Sequence, residues 1–149
     1  MAPPLLSVHN ASKRFGDVVA LNSIDLDIHK GEIVGLVGSN GAGKTTLLRL
    51  LSGVYRPTTG EVVLSNGESV NRAREQLGVV PENTGLYARL TAWENIRYHA
   101  RMHGVDDQVA WLRTSYFADH LGMTEALGRH TKGFSRGMRQ KTALLRALV

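Results

Sequence analysis

The sequence predicts an α/β chain in which a strand-rich first half gives way to a helical second half. Three observations carry this. Apolar and polar residues alternate over 18–28, an apolar run at 32–37 passes directly into a glycine-rich loop and a helix, and apolar residues keep helical spacing from Thr91 onward. Residues 5–15 and 18–28 are expected as two strands joined by a Gly16-Asp17 turn, the second setting Ile24, Leu26 and Ile28 against Asp25 and Asp27. Glu32-Ile33-Val34-Gly35-Leu36-Val37 carries the β-branched residues of an interior strand. The helix after the loop is expected to put Leu47, Leu48, Leu50 and Leu51 on one side and to stop at Ser52-Gly53.

Pro57-Thr58-Thr59-Gly60 reads as a turn into a strand at 61–64, and 77–80 reads as another short strand closed by Pro81. Thr91 and Glu94 have the spacing of a capping box, which opens a helix running through Met102 to Gly104. A second helix carries apolar positions from Val109 to Leu121 and ends at Gly122. After a loop over 128–134, Ser135 caps a last helix. Neither an internal repeat nor a low-complexity segment is present.

Bulk properties narrow the function. The 149 residues are 42% hydrophobic and 21% charged, the profile of a single globular domain, which excludes a disordered or collagen-like chain. With no cysteine, disulfides and thiolate metal sites are out. No apolar run approaches the ~18 residues of a membrane span. The start, Met-Ala-Pro-Pro-Leu-Leu, lacks the basic and apolar regions of a signal peptide, so the chain is not expected to be inserted in a membrane. The net charge of +5 is spread along the chain, and no nucleic-acid partner is expected from it.

The strongest chemical signal is Gly38-Ser39-Asn40-Gly41-Ala42-Gly43-Lys44-Thr45, which satisfies G-x-x-x-x-G-K-[ST] between an expected strand and helix. Glycines let such a loop curl so that backbone N–H groups point inward at phosphates, and the helix start adds its positive dipole end. Lys44 would reach the β- and γ-phosphates, and Thr45 would offer its hydroxyl to Mg²⁺. The competing reading, a glycine-rich turn that only packs a helix on a sheet, does not account for Lys-Thr at the helix start.

With that loop, the chain from Leu5 to Val149 resembles the nucleotide-binding subunit of ABC transporters, in the form found in bacterial sodium and drug exporters. Three further segments carry the resemblance. Lys13-Arg14-Phe15-Gly16 is similar to the loop whose aromatic residue stacks on adenine, which would make Phe15 the base platform; on spacing alone Phe15 would be a core residue. Phe134-Ser135-Arg136-Gly137-Met138-Arg139-Gln140-Lys141 resembles the family signature, where Ser135 and Gly137 of one subunit close on the γ-phosphate held by another. Without that context Ser135 reads as an ordinary helix cap. Val79 to Tyr87, followed by Leu90-Thr91, resembles the loop between the catalytic core and the helical subdomain, with Glu82 where most members have glutamine. A carboxylate there could still ligate Mg²⁺, or could be a solvated loop glutamate.

The resemblance implies a P-loop NTPase core with an antiparallel β subdomain and an α-helical subdomain: 1–85 the β subdomain and phosphate-loop core, 86–134 the helical subdomain, 135–149 the signature helix. It implies ATP and Mg²⁺ as cofactors, with Thr46 joining residues 38–45 in contact with the phosphates and with Lys44 and Glu82 in catalytic positions. It also implies a homodimer or a paired ABC subunit, membrane-spanning permease partners, and a cytoplasmic place on the inner face of the plasma membrane. The family's next strand, ending in Asp-Glu, would fall beyond Val149, so the fold is expected to be incomplete at its C-terminus and hydrolysis is not expected of these 149 residues alone. A fragment of a larger ATPase is favoured over a short natural protein, because missing interior strands leave unpaired edges. The expected function is an exporter motor. The alternatives are a soluble ABC ATPase acting on ribosomes or DNA, and a nucleotide-binding fragment without turnover. His99 and His103 share a helix face at i,i+4, but no third ligand accompanies them and no metal role is assigned.

Overall fold

A computed structural model of the chain describes residues 3–149; Met1 and Ala2, which open the segment without signal-peptide character, lie outside the described residues. The chain divides into two compact units, Met1–Leu77 and Gly78–Val149.

In the first unit, β1 (Leu6–Phe15), β2 (Val18–Ile28) and β3 (Thr59–Leu64) form an antiparallel sheet in the order β2-β1-β3. The period-2 pattern expected for the first two segments is realised as cross-strand rows. Leu6 stands opposite Ile28 and Leu64, and Val8 opposite Leu26 and Val62. These rows build a core with Ala11, Leu21, Val70 and Ala73, onto which α1 (Lys44–Leu51) lays Leu47 and Leu50. Each fully buried aliphatic side chain, such as Val8 or Leu50, contributes about 1.5–3 kcal/mol. Leu48 departs from expectation: one residue along a helix turns the side chain ~100° off the buried stripe, and it is exposed. Gly53 ends α1 with φ +70°, and an added Cβ would lie 2.6 Å from the Val70 carbonyl oxygen, so only glycine fits there.

Two stretches expected as strands are not strands. Residues 33–37 have no pairing partner among the described residues, and Ile33 and Val37 are 98% and 95% exposed. Residues 77–80 are likewise unpaired. Composition gives only a local preference, whereas a strand exists when a neighbour takes up its N–H and C=O groups, and none of β1, β2 or β3 does so for these residues.

The second unit is helical: α2 (Ala92–Met102), α3 (Asp107–His120) and α4 (Arg136–Leu148) pack on one another. The capping box forms as expected, with the Glu94 N–H donating to Thr91 Oγ1 and the Thr91 N–H to Glu94 Oε2. Two further N–H groups at the start of α2, those of Ala92 and Trp93, donate to Arg129 and Leu127 carbonyls, so the 127–131 segment completes the cap. The buried line of α3 is Ala110, Thr114 and Ala118 rather than its large apolar residues, and Leu112 and Val109 are exposed. Small residues every four positions let α3 approach its neighbours closely. Ile96, Met123, Phe134 and Leu145 fill the core among the three helices.

Candidate nucleotide-binding site

In the first unit the glycine-rich loop sits at the start of α1 beside the first residues of β2. Gly41 and Gly43 take φ +84° and +92°, a left-handed conformation that turns the loop back on itself. Gly43 also meets β2 closely: an added Cβ would lie 2.7 Å from the Ala20 carbonyl oxygen and 2.8 Å from Leu21 Cδ2. The loop is therefore pressed against the sheet at the point where the helix begins. The Ala42 N–H donates to Ser39 O and the Leu47 N–H to Gly43 O, closing the curl and the first helical turn.

A cavity of ≈ 360 Å³ opens where loop, helix start and β2 meet, walled by Val18, Val19 and Ala20 on one side and by Asn40, Gly41, Gly43, Lys44, Thr45 and Thr46 on the other. The Lys44 ammonium donates to the Gly38 and Ser39 carbonyls at 2.6 Å each, which arches its side chain over the loop. N–H groups of the first helical turn have no intrahelical acceptor, and they lie at the positive end of the helix dipole. Lys44, Thr45, Thr46 and the start of α1 all line one concavity, which suits an anion bearing several oxygens.

Phe15 ends β1 directly opposite Val18, whose side chain lines that cavity. Its ring is 45% exposed, which removes the core-residue reading. It makes an edge contact with Tyr55, ring centroids 5.4 Å apart at 69°, and Lys13 Nζ stands 5.2 Å from its centroid. Tyr55 was not marked by the sequence, since its approach to Phe15 depends on how 49–58 folds back on β1.

Glu82, Ser135 and Gly137 belong to the second unit. Glu82 is exposed, and its carbonyl accepts from Gln140 Nε2 of α4 at 3.3 Å. Arg146, also on α4, donates to the Thr84 carbonyl at 2.7 Å; burial holds its guanidinium below the ordinary arginine pKa, with Tyr87 opposing the shift. The 82–87 loop is thus pinned from α4 and also from α2, where Asn95 Oδ1 accepts the Tyr87 N–H and Asn95 Nδ2 donates to the carbonyls of Tyr87 and Thr91. Asn95, only 2% exposed, is a structural residue that the sequence did not single out; a polar residue on an otherwise apolar helix stripe was the available signal.

Ser135 caps α4 as expected, its Oγ accepting from the Met138 N–H at 3.2 Å. Both Ser135 and Gly137 are exposed, and a Cβ at Gly137 would meet nothing closer than Ser135 Oγ at 3.9 Å. That face of the helix start is open to a second body. His99 and His103 lie 4.5 Å apart between ring centroids, tilted by 41°, and no group of three metal-ligating side chains occurs among the described residues.

Residues 21–149 match the ABC transporter family. The chain belongs to that family. It is 37% identical to the ABC transporter ATP-binding protein NatA of Bacillus subtilis (strain 168), over 97% of this chain and 62% of that protein. Two other relatives bracket the direction of transport. Spermidine/putrescine import ATP-binding protein PotA of Pseudomonas aeruginosa (strain UCBPP-PA14) is 35% identical over 100% of this chain and 42% of its own length. Nod factor export ATP-binding protein I of Cupriavidus pinatubonensis (strain JMP 134 / LMG 1197) is 34% identical over 97% and 46%. A solved ATP-binding subunit of an ABC transporter superposes with a TM-score of 0.82 at 28% identity, covering 96% of this chain and 61% of that one. The α/β architecture is part of that of the ABC ATPase domain, represented here by the phosphate loop with α1, the antiparallel sheet and the helical unit. This ABC chain spans 42% to 62% of the length of these curated relatives. No helix among the described residues is long and apolar enough to cross a membrane.

Proposed function

We propose that this chain is the MgATP-binding part of an ABC transporter's motor subunit, and that the complete protein hydrolyses ATP while driving membrane-spanning permease partners. The observation that carries the reading is the cavity of ≈ 360 Å³ at the start of α1, where Lys44, Thr45, Thr46 and the curled backbone of residues 38–43 converge beside β2. In this reading the loop N–H groups and the dipole of α1 hold the β-phosphate, and the Lys44 ammonium leaves the Gly38 and Ser39 carbonyls for the β- and γ-phosphate oxygens. Phe15 takes the base. The Thr45 hydroxyl, a hard oxygen at the cavity wall, fits a Mg²⁺ ligand, and the bound ion would offset phosphate charge. Glu82, on the loop pinned by Gln140 and Arg146, is proposed as an Mg²⁺ ligand from its place in the segment Val79 to Tyr87.

We assign Ser135 and Gly137 to a second anion site used in trans: the open start of α4 closes on the γ-phosphate held by the paired subunit's phosphate loop. Dimerisation follows from that assignment. Export is proposed from the segment Phe134 to Lys141, because import and export relatives are matched at nearly the same identity. The subunit would sit on the cytoplasmic face of the membrane through its permease.

Titration of MgATP into the full-length protein and its Lys44→Ala variant tests the central assignment. Loss of charge-assisted hydrogen bonds worth about 1.5–3 kcal/mol predicts a ~10- to 150-fold weaker dissociation constant. Unchanged binding in Lys44→Ala would remove the phosphate loop from the reading.

A further inference from the structure

Phe15 lies at a strand end, where a solvent-facing ring samples several rotamers unless something fixes it. Here it is fixed by a cluster reaching back to the phosphate cradle. Tyr55 contacts the Phe15 ring edgewise at 5.4 Å, and Lys13 Nζ lies 5.2 Å from the Phe15 centroid and 5.5 Å from that of Tyr55. Lys13 is itself held, its ammonium donating to the Arg56 carbonyl at 2.8 Å.

Tyr55 is held more firmly still. Its N–H donates to the Arg49 carbonyl at 2.9 Å, its hydroxyl accepts from Arg49 Nη1 at 2.8 Å, and the Arg49 guanidinium carbon stands 5.4 Å from its ring centroid. The ring also packs against the buried core of the sheet unit. Arg49 lies in the last turn of α1, the helix whose first residue is Lys44. A continuous chain of contacts therefore runs from phosphate loop through α1, Arg49 and Tyr55 to Phe15.

Resting on the assignment of Phe15 as base platform, we propose that Tyr55 is a positioning residue for nucleotide recognition, locking the Phe15 ring in its stacking orientation relative to the phosphate cradle. Stacking onto a mobile ring would have to order that ring during binding, and ordering a rotamer-rich side chain opposes association. Tyr55 and Lys13 place the ring beforehand. The effect is confined to ligands that carry a base; inorganic tripolyphosphate, which uses the cradle alone, should not sense it.

The test compares MgATP and magnesium tripolyphosphate binding by calorimetry in the full-length protein. The expectation for Tyr55→Leu is a loss of about three- to tenfold in MgATP affinity, the scale of one edge-to-face aromatic pair, with tripolyphosphate affinity unchanged. Tyr55→Phe, which keeps the ring, should stay within about twofold of the parent for both. In a Phe15→Ala background Tyr55→Leu should have no further effect. Should Tyr55→Leu fold poorly, Tyr55→Met removes the ring with nearly conserved bulk and carries the same expectation. Equal losses for both ligands, no loss for either, or a MgATP loss that persists without Phe15 would each overturn the proposal. Failure of the underlying reading is separable: if Phe15→Ala binds MgATP like the parent, Phe15 is not the platform, whereas a weak Phe15→Ala beside an unaffected Tyr55→Leu refutes only the role of Tyr55.

Discussion

Gly43→Ala is the sharpest single perturbation of the candidate site, because two separable costs fall on it. The backbone there has φ +92° and ψ 4°, the left-handed region, where an L-residue other than glycine is disfavoured by about 1–2 kcal/mol. The added methyl would also lie 2.7 Å from the Ala20 carbonyl oxygen, short of an ordinary contact by about 0.7 Å, and 2.8 Å from Leu21 Cδ2. Ala20 belongs to the sheet backbone and cannot swing aside, and Leu21, 7% exposed, is part of the core, so the loop must lift away from β2. Overpacking of this kind costs about 1–3 kcal/mol, giving roughly 2–5 kcal/mol in all. Gly41→Ala is the control: φ there is +84°, but nothing lies within 4 Å of the new methyl, so only the backbone cost of about 1–2 kcal/mol applies. Urea denaturation of the full-length protein, followed by circular dichroism and paired with MgATP titration, separates the two. Gly43→Ala should be the less stable variant and the weaker binder, since lifting Gly43 moves the carbonyl that accepts from the Leu47 N–H and starts α1. Equal stability of the two variants would refute the argument that loop and β2 are in enforced contact.

Three predictions concern the helical unit. Thr91→Ala removes the cap of α2 and should cost about 0.5–2 kcal/mol in denaturant unfolding. The Thr91 N–H and hydroxyl hold the Glu94 carboxyl below its ordinary value, so their contribution is present above the unfolded pKa near 4.5 and is lost as pH falls through the lower folded value; stability measured below pH 4.5 should fall more steeply in the parent than in Glu94→Gln. His99 is also lowered: burial first, then His103 and Arg146, bring its pKa below 6.5, which for a base disfavours the charged form. Between the two pKa values the unfolded chain binds more protons, so stability should decline as pH drops below about 6.5 toward the lower folded value, and His99→Gln should flatten that slope in thermal melts taken across this range.

The parts of the fold that were legible in the sequence are those written in local chemistry. Thr91 with Glu94, Ser135 at a helix start, and glycines at 53, 104 and 122 with positive φ each encode their own boundary within a few residues. The phosphate loop was legible for the same reason: its donors, lysine and hydroxyl all come from one short segment. What was not legible depends on partners distant in the chain. Residues 33–37 have strand composition but no ladder, because hydrogen-bonded pairing is not a property of the segment itself. The small-residue stripe of α3 was hidden under larger apolar neighbours, since Ala110, Thr114 and Ala118 matter through the closeness of the helices they face. Tyr55 escaped notice likewise, being 40 positions from Phe15 yet in edge contact with its ring.

The eight-residue helix α1 shows why stability and recognition cannot be separated in the sheet unit. Helices shorter than about 12–15 residues are marginal on their own in water, so α1 exists because Leu47 and Leu50 are buried against the sheet. Its first turn supplies the proposed phosphate donors, and its last turn carries Arg49, which grips Tyr55 by hydrogen bond and ring contact. The dipole that favours an anion at the N-terminus is only as well oriented as the packing that holds the axis. A core change that loosens α1 therefore displaces phosphate donors and base platform together, and would register in binding before it registered as global unfolding.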